Sequence, residues 1–258
     1  MKQNLFKVCF FSLAFLFILC FSSFASPKTN PLDLVEGEIV RIDIPNADGT
    51  YTTLTGEEAK RHYIEAYNWY LTAQGNQVQQ GEHTSNIVVP VAPEDKPSLL
   101  GMFSYKYRYI ENRHIAEVKR FDQAKYVTNR LRNDTSINQR YTLTMYVSQS
   151  WDINSEVTGK YKEAVTLKLG GRWGKSYSIS ETLWADIPPH KTVQVKFIPI
   201  MEMSQGVAER YYVTRGPWKR TVVDRRVNVT TYNPIYRMCQ VGKNKVKAVY
   251  GEYIWIQQ

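Results

Sequence analysis

From residue 99 to the C-terminus the chain alternates apolar and polar residues in segment after segment, and this pattern limits the available folds more than any other feature. In "RYTLTMYVSQSW", Tyr141, Leu143, Met145 and Val147 oppose Thr142, Thr144, Tyr146 and Ser148. "EAVTLKLGG" sets Val165, Leu167 and Leu169 against Thr166 and Lys168. "KTVQVKFIPI" sets Val193, Val195 and Phe197 against Thr192, Gln194 and Lys196. "MFSYKYRYIE" and "HIAEVKRF" flank a two-residue Asn112-Arg113 turn, and "ERYYVT", "RTVVDRRVNVTTY" and "KVKAVYGEYIWI" complete the set. Successive side chains of a strand point to opposite faces. Such segments, separated by Gly, Pro and Asn, predict a predominantly antiparallel β protein.

The preceding residues differ. "EIVRIDIP" alternates and stops at Pro45, and the Asp48-Gly49 turn returns it through Tyr51 to Leu54 as a hairpin. Thr55 and Glu58 have the spacing of a capping box. Ala59, Tyr63, Ala66 and Tyr70 then form an amphipathic stripe, and Gly75 is a natural stop, so the spacing predicts a helix over 56–74. Tyr63, Tyr67 and Tyr70 read as its packing face. Residues 75–98 read as a loop with one short strand at 87–91, because Pro90, Pro93 and Pro97 forbid more.

The N-terminus has the form of a secretory signal. Lys2 and Lys7 precede an apolar run over 8–21, and Ser23 and Ala25 stand at the positions a signal peptidase reads, so cleavage is expected after Ala25. The expected organisation is therefore a signal over 1–25, an N-terminal segment over 26–98 and an antiparallel β domain over 99–258. Cys9 and Cys20 leave with the signal. Cys239 remains alone, so no internal disulfide is expected and the thiol reads as a small buried hydrophobe. Without Lys2 and Lys7, 31 basic residues face 24 acidic ones, a net charge of +7. That balance favours an anionic membrane surface or cell-envelope polymer as partner, and export argues against nucleic acid. Arg215, Trp218, Lys219, Arg220, Arg225 and Arg226 form the dense cluster and are the candidate docking surface. A solvated charged face on a strand pair is the plainer reading of those residues.

"GGRWGKSYSIS" invites comparison with a phosphate-binding loop, but Leu169 stands where the first glycine belongs. The residues after Ser176 alternate as a strand, whereas a phosphate loop must open a helix. The segment reads as a glycine-assisted turn between two strands. No catalytic motif, cofactor site or metal-ligand spacing is found: His62, His83, His114 and His190 are isolated, with surface roles expected for His62 and His190. A carboxylate pair distant in sequence stays open. Asn133-Asp134-Thr135 and Asn228-Val229-Thr230 are glycosylation sequons.

The stretch "WGKSYSISETLWADIPPHKTVQVKFIPIMEMSQG" has a Ser/Thr-rich strand over 176–182, a Pro188-Pro189-His190-Lys191 turn, an alternating strand over 192–198 and then Gly206. In this it resembles the aerolysin and epsilon-toxin/mosquitocidal-toxin family of β-pore-forming proteins, and also small secreted β proteins of Gram-positive bacteria. The family resemblance implies that each subunit contributes an amphipathic hairpin and that hairpins from a homo-oligomer close into a barrel. The candidate hairpin spans 141–184, with arms over 143–153 and 165–183 and residues 158–162 as its tip. Its candidate lipid-facing residues are Leu143, Met145, Val147, Ile153, Val165, Leu167, Leu169 and Ile179, while Lys168 and Arg172 must face water. The expected fold is mainly β: elongated antiparallel sheets, aerolysin-like or sandwich, with one N-terminal amphipathic helix. Three function classes stay open: a pore-former, a secreted envelope- or glycan-binding module without pore activity, and a hydrolase.

Overall fold

The computed structural model describes residues 30–46, 48–81, 104–171, 173–214, 219–241 and 244–258. The expected signal, the strand over 87–91 and His83 lie outside them. The chain divides into two compact units, Met1–Leu34 and Val35–Gln258. In the first, the described part is a short 3-10 turn, Pro31–Leu34. The second is mainly β, and every strand pairing in it is antiparallel.

In chain order its elements are β1 (Glu38–Pro45), β2 (Tyr51–Thr55), α1 (Gly56–Gly81), β3 (Lys106–Lys119), β4 (Lys125–Tyr126), β5 (Leu131–Arg132) and β6 (Gln139–Gln149). There follow β7 (Asp152–Ile153), α2 (Gly159–Leu169), β8 (Tyr177–Ile187), β9 (Thr192–Val213), β10 (Thr221–Pro234), β11 (Tyr236–Val241), β12 (Asn244–Val249) and β13 (Gly251–Gln257).

β9 organises the sheet. Read from sequence as two separated segments, it is one strand of 22 residues. Its first half is flanked by β13 on one edge and by β4 and β5 on the other; Phe197, for example, pairs with both Tyr253 and Lys125. Its second half lies between β10 and β3. β1 extends the sheet beyond β13, with β2 at that edge, and β7 adds two residue pairs to β10. Residues 38–55 thus belong to the same sheet as the C-terminal strands. The β1–β2 hairpin turns at Asp48-Gly49, where Gly49 takes φ +90°.

Three sequence expectations are corrected here. β3 runs unbroken through Asn112 and Arg113, and the register against β9 shifts between Glu111 and Arg113. A long partner strand lets a bulge absorb the extra residue, and Asn-Arg lacks the glycine that a tight hairpin turn favours. "KVKAVYGEYIWI" splits at Tyr250 into β12, paired with β11, and β13 in the main sheet. α1 continues past Gly75 to Gly81. Its stripe is oriented as the spacing implies: Ala59, Tyr63 and Ala73 are buried, and Tyr63, Tyr67 and Tyr70 surround Phe121 with ring centroids 5.0–5.5 Å away.

Two two-stranded sheets complete the unit, β6–β8 and β11–β12. Their inner faces meet the first half of β9 and β13 in the largest core cluster, which includes Leu143, Met145, Val147, Ile179, Leu183, Val195, Phe197, Ala248 and Trp255. Cys239 is buried in that core, and burial raises its thiol pKa.

Candidate functional site

β6 and β8 pair in continuous register from Gln139–Ile187 to Gln149–Tyr177, which makes a ribbon eleven residues long on each strand. Its two faces follow directly from the period-two sequence. Leu143, Met145, Val147, Ile179, Leu183, Ala185 and Ile187 are buried. Thr142, Thr144, Tyr146, Ser148, Ser178, Ser180, Thr182, Trp184 and Asp186 are exposed. On that outer face Thr144 and Thr182 stand opposite each other with hydroxyls 3.4 Å apart, and Arg140 pairs with Asp186 at 2.8 Å. Tyr146 and Trp184 are 66% and 59% exposed, large aromatic surfaces left in water. Neither strand enters the ladder of the main sheet. The ribbon is held by its apolar face and by side-chain ties such as Arg41 Nη1 donating to the Trp184 carbonyl at 3.4 Å.

One residue breaks the inner alternation. Glu181 lies directly across from Met145, so its side chain enters the core. It accepts hydrogen bonds from Arg237 of β11 and from the Tyr253 hydroxyl of β13. Arg237 also donates to the Tyr51 hydroxyl of β2 at 3.0 Å, and its Nε is buried without a partner. The two charged side chains are 12% and 4% exposed. Burial pushes the Tyr51 hydroxyl up to about 12, against the opposing pull of Arg237, so both it and Tyr253 stay protonated at neutral pH. Sequence reading passed over this cluster. Its signal was a charged residue in the inward series Ile179, Leu183, Ala185 and Ile187. Its partners come from β2, β11 and β13, distances no local pattern encodes.

The other expected hairpin residues lie elsewhere. Val165, Leu167 and Leu169 are in α2, so the second arm is shorter than expected and begins at Tyr177. The segment's apolar residues also satisfy a helical period: Tyr161, Val165 and Leu169 pack on Tyr109, Ala208 and Val229, while Leu167 is 86% exposed. The expected tip, 158–162, is the start of this helix. Ile153 sits in β7, paired with Thr231 of β10. The glycine loop therefore follows a helix and leads into a strand, the reverse of a phosphate loop, with Gly170 at φ +88° and Gly174 at φ +82°.

Of the docking candidates, Arg215 and Trp218 lie outside the described residues. Lys219 and Arg220 are exposed just ahead of β10, and Arg225 is half-buried in it. Arg226 and Arg108 converge on the buried Glu209 at 2.9 and 2.6 Å. Burial pushes that carboxyl up, but the hydrogen bonds from the two arginines outweigh it and hold it below the usual carboxylate range. Nearby, Arg210 donates to Asp224 at 2.6 Å and lies 4.8 Å from the Tyr105 ring centroid; Arg108 lies 4.9 Å from that of Tyr211. This end of the long strands therefore carries interleaved cations and tyrosines.

His62, expected at the surface, bridges elements instead: its Nε2 is 3.1 Å from Glu252 of β13 and 2.9 Å from Lys119 of β3, and Lys119 reaches Glu252 at 2.7 Å. His114 lies between Glu111 and Glu202 at 3.2 and 3.1 Å. Among the described residues no group of His, Cys, Asp and Glu could hold a metal ion. Asn133 of the first sequon is fully buried, its amide nitrogen donating to the carbonyls of Ile137, Ile187 and Pro188, so it is closed to glycosylation in the folded chain. No described helix is long and apolar enough to cross a membrane, which says nothing of strands.

No family model, curated protein or solved structure matches this chain.

Proposed function

We propose that this is a secreted, pore-forming-type protein: it docks on a membrane through the cationic, tyrosine-rich end of its long strands, and its β6–β8 ribbon then leaves the core to pair with ribbons of other copies in a closed barrel. The observation that carries the reading is the ribbon itself. Eleven residues per strand match the roughly 9–11 that a membrane-crossing strand needs. Each strand alternates, the inner set would face lipid, and the Ser/Thr outer set would line a watery lumen. Glu181 is the exception within the inner set, a charge that must be neutralised or held near a bilayer surface.

The topology supports detachment. β6, β8 and everything between them can leave while breaking only two residue pairs of the main sheet, those joining β7 to β10. An unpaired edge does not survive in lipid, so a released ribbon requires neighbours and hence an oligomer.

One observation favours a second reading. Tyr146 and Trp184 already stand exposed on the Ser/Thr face, as in a surface that stacks on sugars of an envelope polymer. The two are separated by labelling single cysteines placed at Leu143 or Thr144 with a polarity-sensitive dye, in a Cys239→Ala background of residues 26–258 with liposomes. Insertion gives dye release from the vesicles and a lipid-quenched label at 143 beside a water-exposed one at 144. A label at 143 that escapes lipid quenching, without leakage and together with sedimentation on cell walls, removes the pore reading and leaves the envelope one.

A further inference from the structure

We propose that the Glu181–Arg237 pair is a proton-operated latch, in which proton uptake by Glu181 frees the β6–β8 ribbon from the core. The proposal rests on the ribbon being the detachable element, and it adds what would trigger the detachment.

Glu181 is the one charged side chain that β6 and β8 direct inward. The groups around it come from several elements. β11 supplies Arg237 and, nearby, the Cys239 thiol; β2 and β13 supply the Tyr51 and Tyr253 hydroxyls. β6 presents only Met145 across the ladder. β12 contributes buried Ala248 and Val249, its Lys245 and Lys247 being exposed. Asp43 of β1 is already committed, accepting from Arg41, Thr53 and Trp255 at 2.7–2.8 Å. Glu181 is therefore the carboxylate that balances Arg237.

The sign follows from this arrangement. A carboxylate paired with a buried guanidinium contributes stability while it is ionised, and the contribution is lost as pH falls. A protonated Glu181 leaves Arg237 charged, because a guanidinium does not give up its proton, and buried without a counter-ion. Solvation returns only if a wall of the site moves. β2 and β13 are fixed in the main ladder, and the β11–β12 hairpin is anchored at both ends by Ile235 and Tyr250, which hydrogen-bond each other and Ile200. The ribbon has no ladder bond to any other strand.

The test is amide hydrogen exchange on residues 26–258 without lipid, corrected for intrinsic rates, at pH 7 and about pH 2.3, roughly two units below the ordinary glutamate pKa near 4.3. In the wild type, amides of 139–149 and 177–187 should speed up at the lower pH by up to roughly a hundredfold relative to those of β9 and β13, the limit set by proton uptake at Glu181 about two units below the ordinary glutamate pKa. Glu181→Gln should show the same opening at pH 7. Glu181→Leu combined with Arg237→Met, which removes both charges, should keep the ribbon protected at both pH values and stands as the test if Glu181→Gln fails to fold. Equal acid opening in that double variant overturns the latch, as does a wild-type ribbon whose exchange is unmoved by acid. Opening confined to β11–β12 overturns it too, by assigning the moving wall to the hairpin. Dye release is scored separately: a ribbon that opens by these rules while vesicles stay sealed keeps the latch and sinks the pore.

Discussion

Removing one member of the Glu181–Arg237 pair should have different consequences depending on which is removed. A buried ion lacking its partner costs roughly 3–5 kcal/mol, unless the ion can discharge itself. In Arg237→Met the remaining carboxyl has that escape. Protonating a carboxyl of ordinary pKa near 4.3 at pH 7 costs about 1.36 kcal/mol per unit, or about 3.7 kcal/mol, which caps the penalty. In Glu181→Leu the guanidinium has no such escape, because it does not give up its proton, so it keeps its charge. The larger loss therefore belongs to Glu181→Leu at pH 7. The pH dependences should differ as well. In folded Arg237→Met the carboxyl pKa is raised, so the protein binds a proton that the unfolded chain does not, and stability falls as pH rises. Lowering the pH from 7 to 5 should restore about 2.7 kcal/mol to Arg237→Met relative to wild type and almost nothing to Glu181→Leu. The double variant Glu181→Leu/Arg237→Met, with apolar side chains in place of both charges, should lie within about 2 kcal/mol of wild type. Urea denaturation followed by tryptophan fluorescence at pH 7 and pH 5 measures all of these. Single variants of equal cost, or an Arg237→Met whose deficit is the same at both pH values, would refute the reasoning.

Three further outcomes are open to measurement. An alanine Cβ at Gly206 would lie 2.0 Å from the Ile110 carbonyl oxygen, in the backbone of the neighbouring strand. Gly206→Ala should lower stability by about 1–3 kcal/mol or more in thermal melts, and an unchanged melting temperature would contradict the close approach of β3 to β9. Leu167→Asp replaces a side chain that is mostly in water and should change stability by less than about 0.5 kcal/mol, whereas a strand position buried in a hairpin would lose several times that. Burial pushes the Glu252 carboxyl up, but His62 and Lys119 more than offset this and hold it below the usual range. Its contribution is thus present above the ordinary carboxylate pKa and disappears as pH falls through the lowered one, so Glu252→Gln should flatten the acid limb of the stability profile. A limb as steep as that of wild type would remove this carboxylate from the account.

Alternation alone made the strand content legible, and it located the two faces of β6 residue by residue. It failed where two periods fit the same letters. Val165, Leu167 and Leu169 alternate, but Tyr161, Val165 and Leu169 also recur every fourth residue, and the apolar surface of Tyr109, Ala208 and Val229 selects the helix. The Asn112-Arg113 turn failed for a related reason: only the length of β9, assembled from two segments read apart, shows that β3 has a partner along its whole course. The buried ion pair was beyond reach because Arg237 and Glu181 are 56 residues apart in sequence and meet only once three sheets have come together.

The base of the ribbon has a consequence for how this chain can vary. β5 leaves β9 at Arg132, opposite Thr192, and the Asn133 N–H donates to the Lys191 carbonyl at 3.0 Å while its side chain grips Ile187 and Pro188. The outgoing and returning backbones are thus clasped side by side, and the 50-odd residues beyond the clasp form a closed excursion on a finished scaffold. Such an appendage can lengthen, shorten or be exchanged between related chains while the sheet that carries it gives up no more than the two-residue edge strand β7.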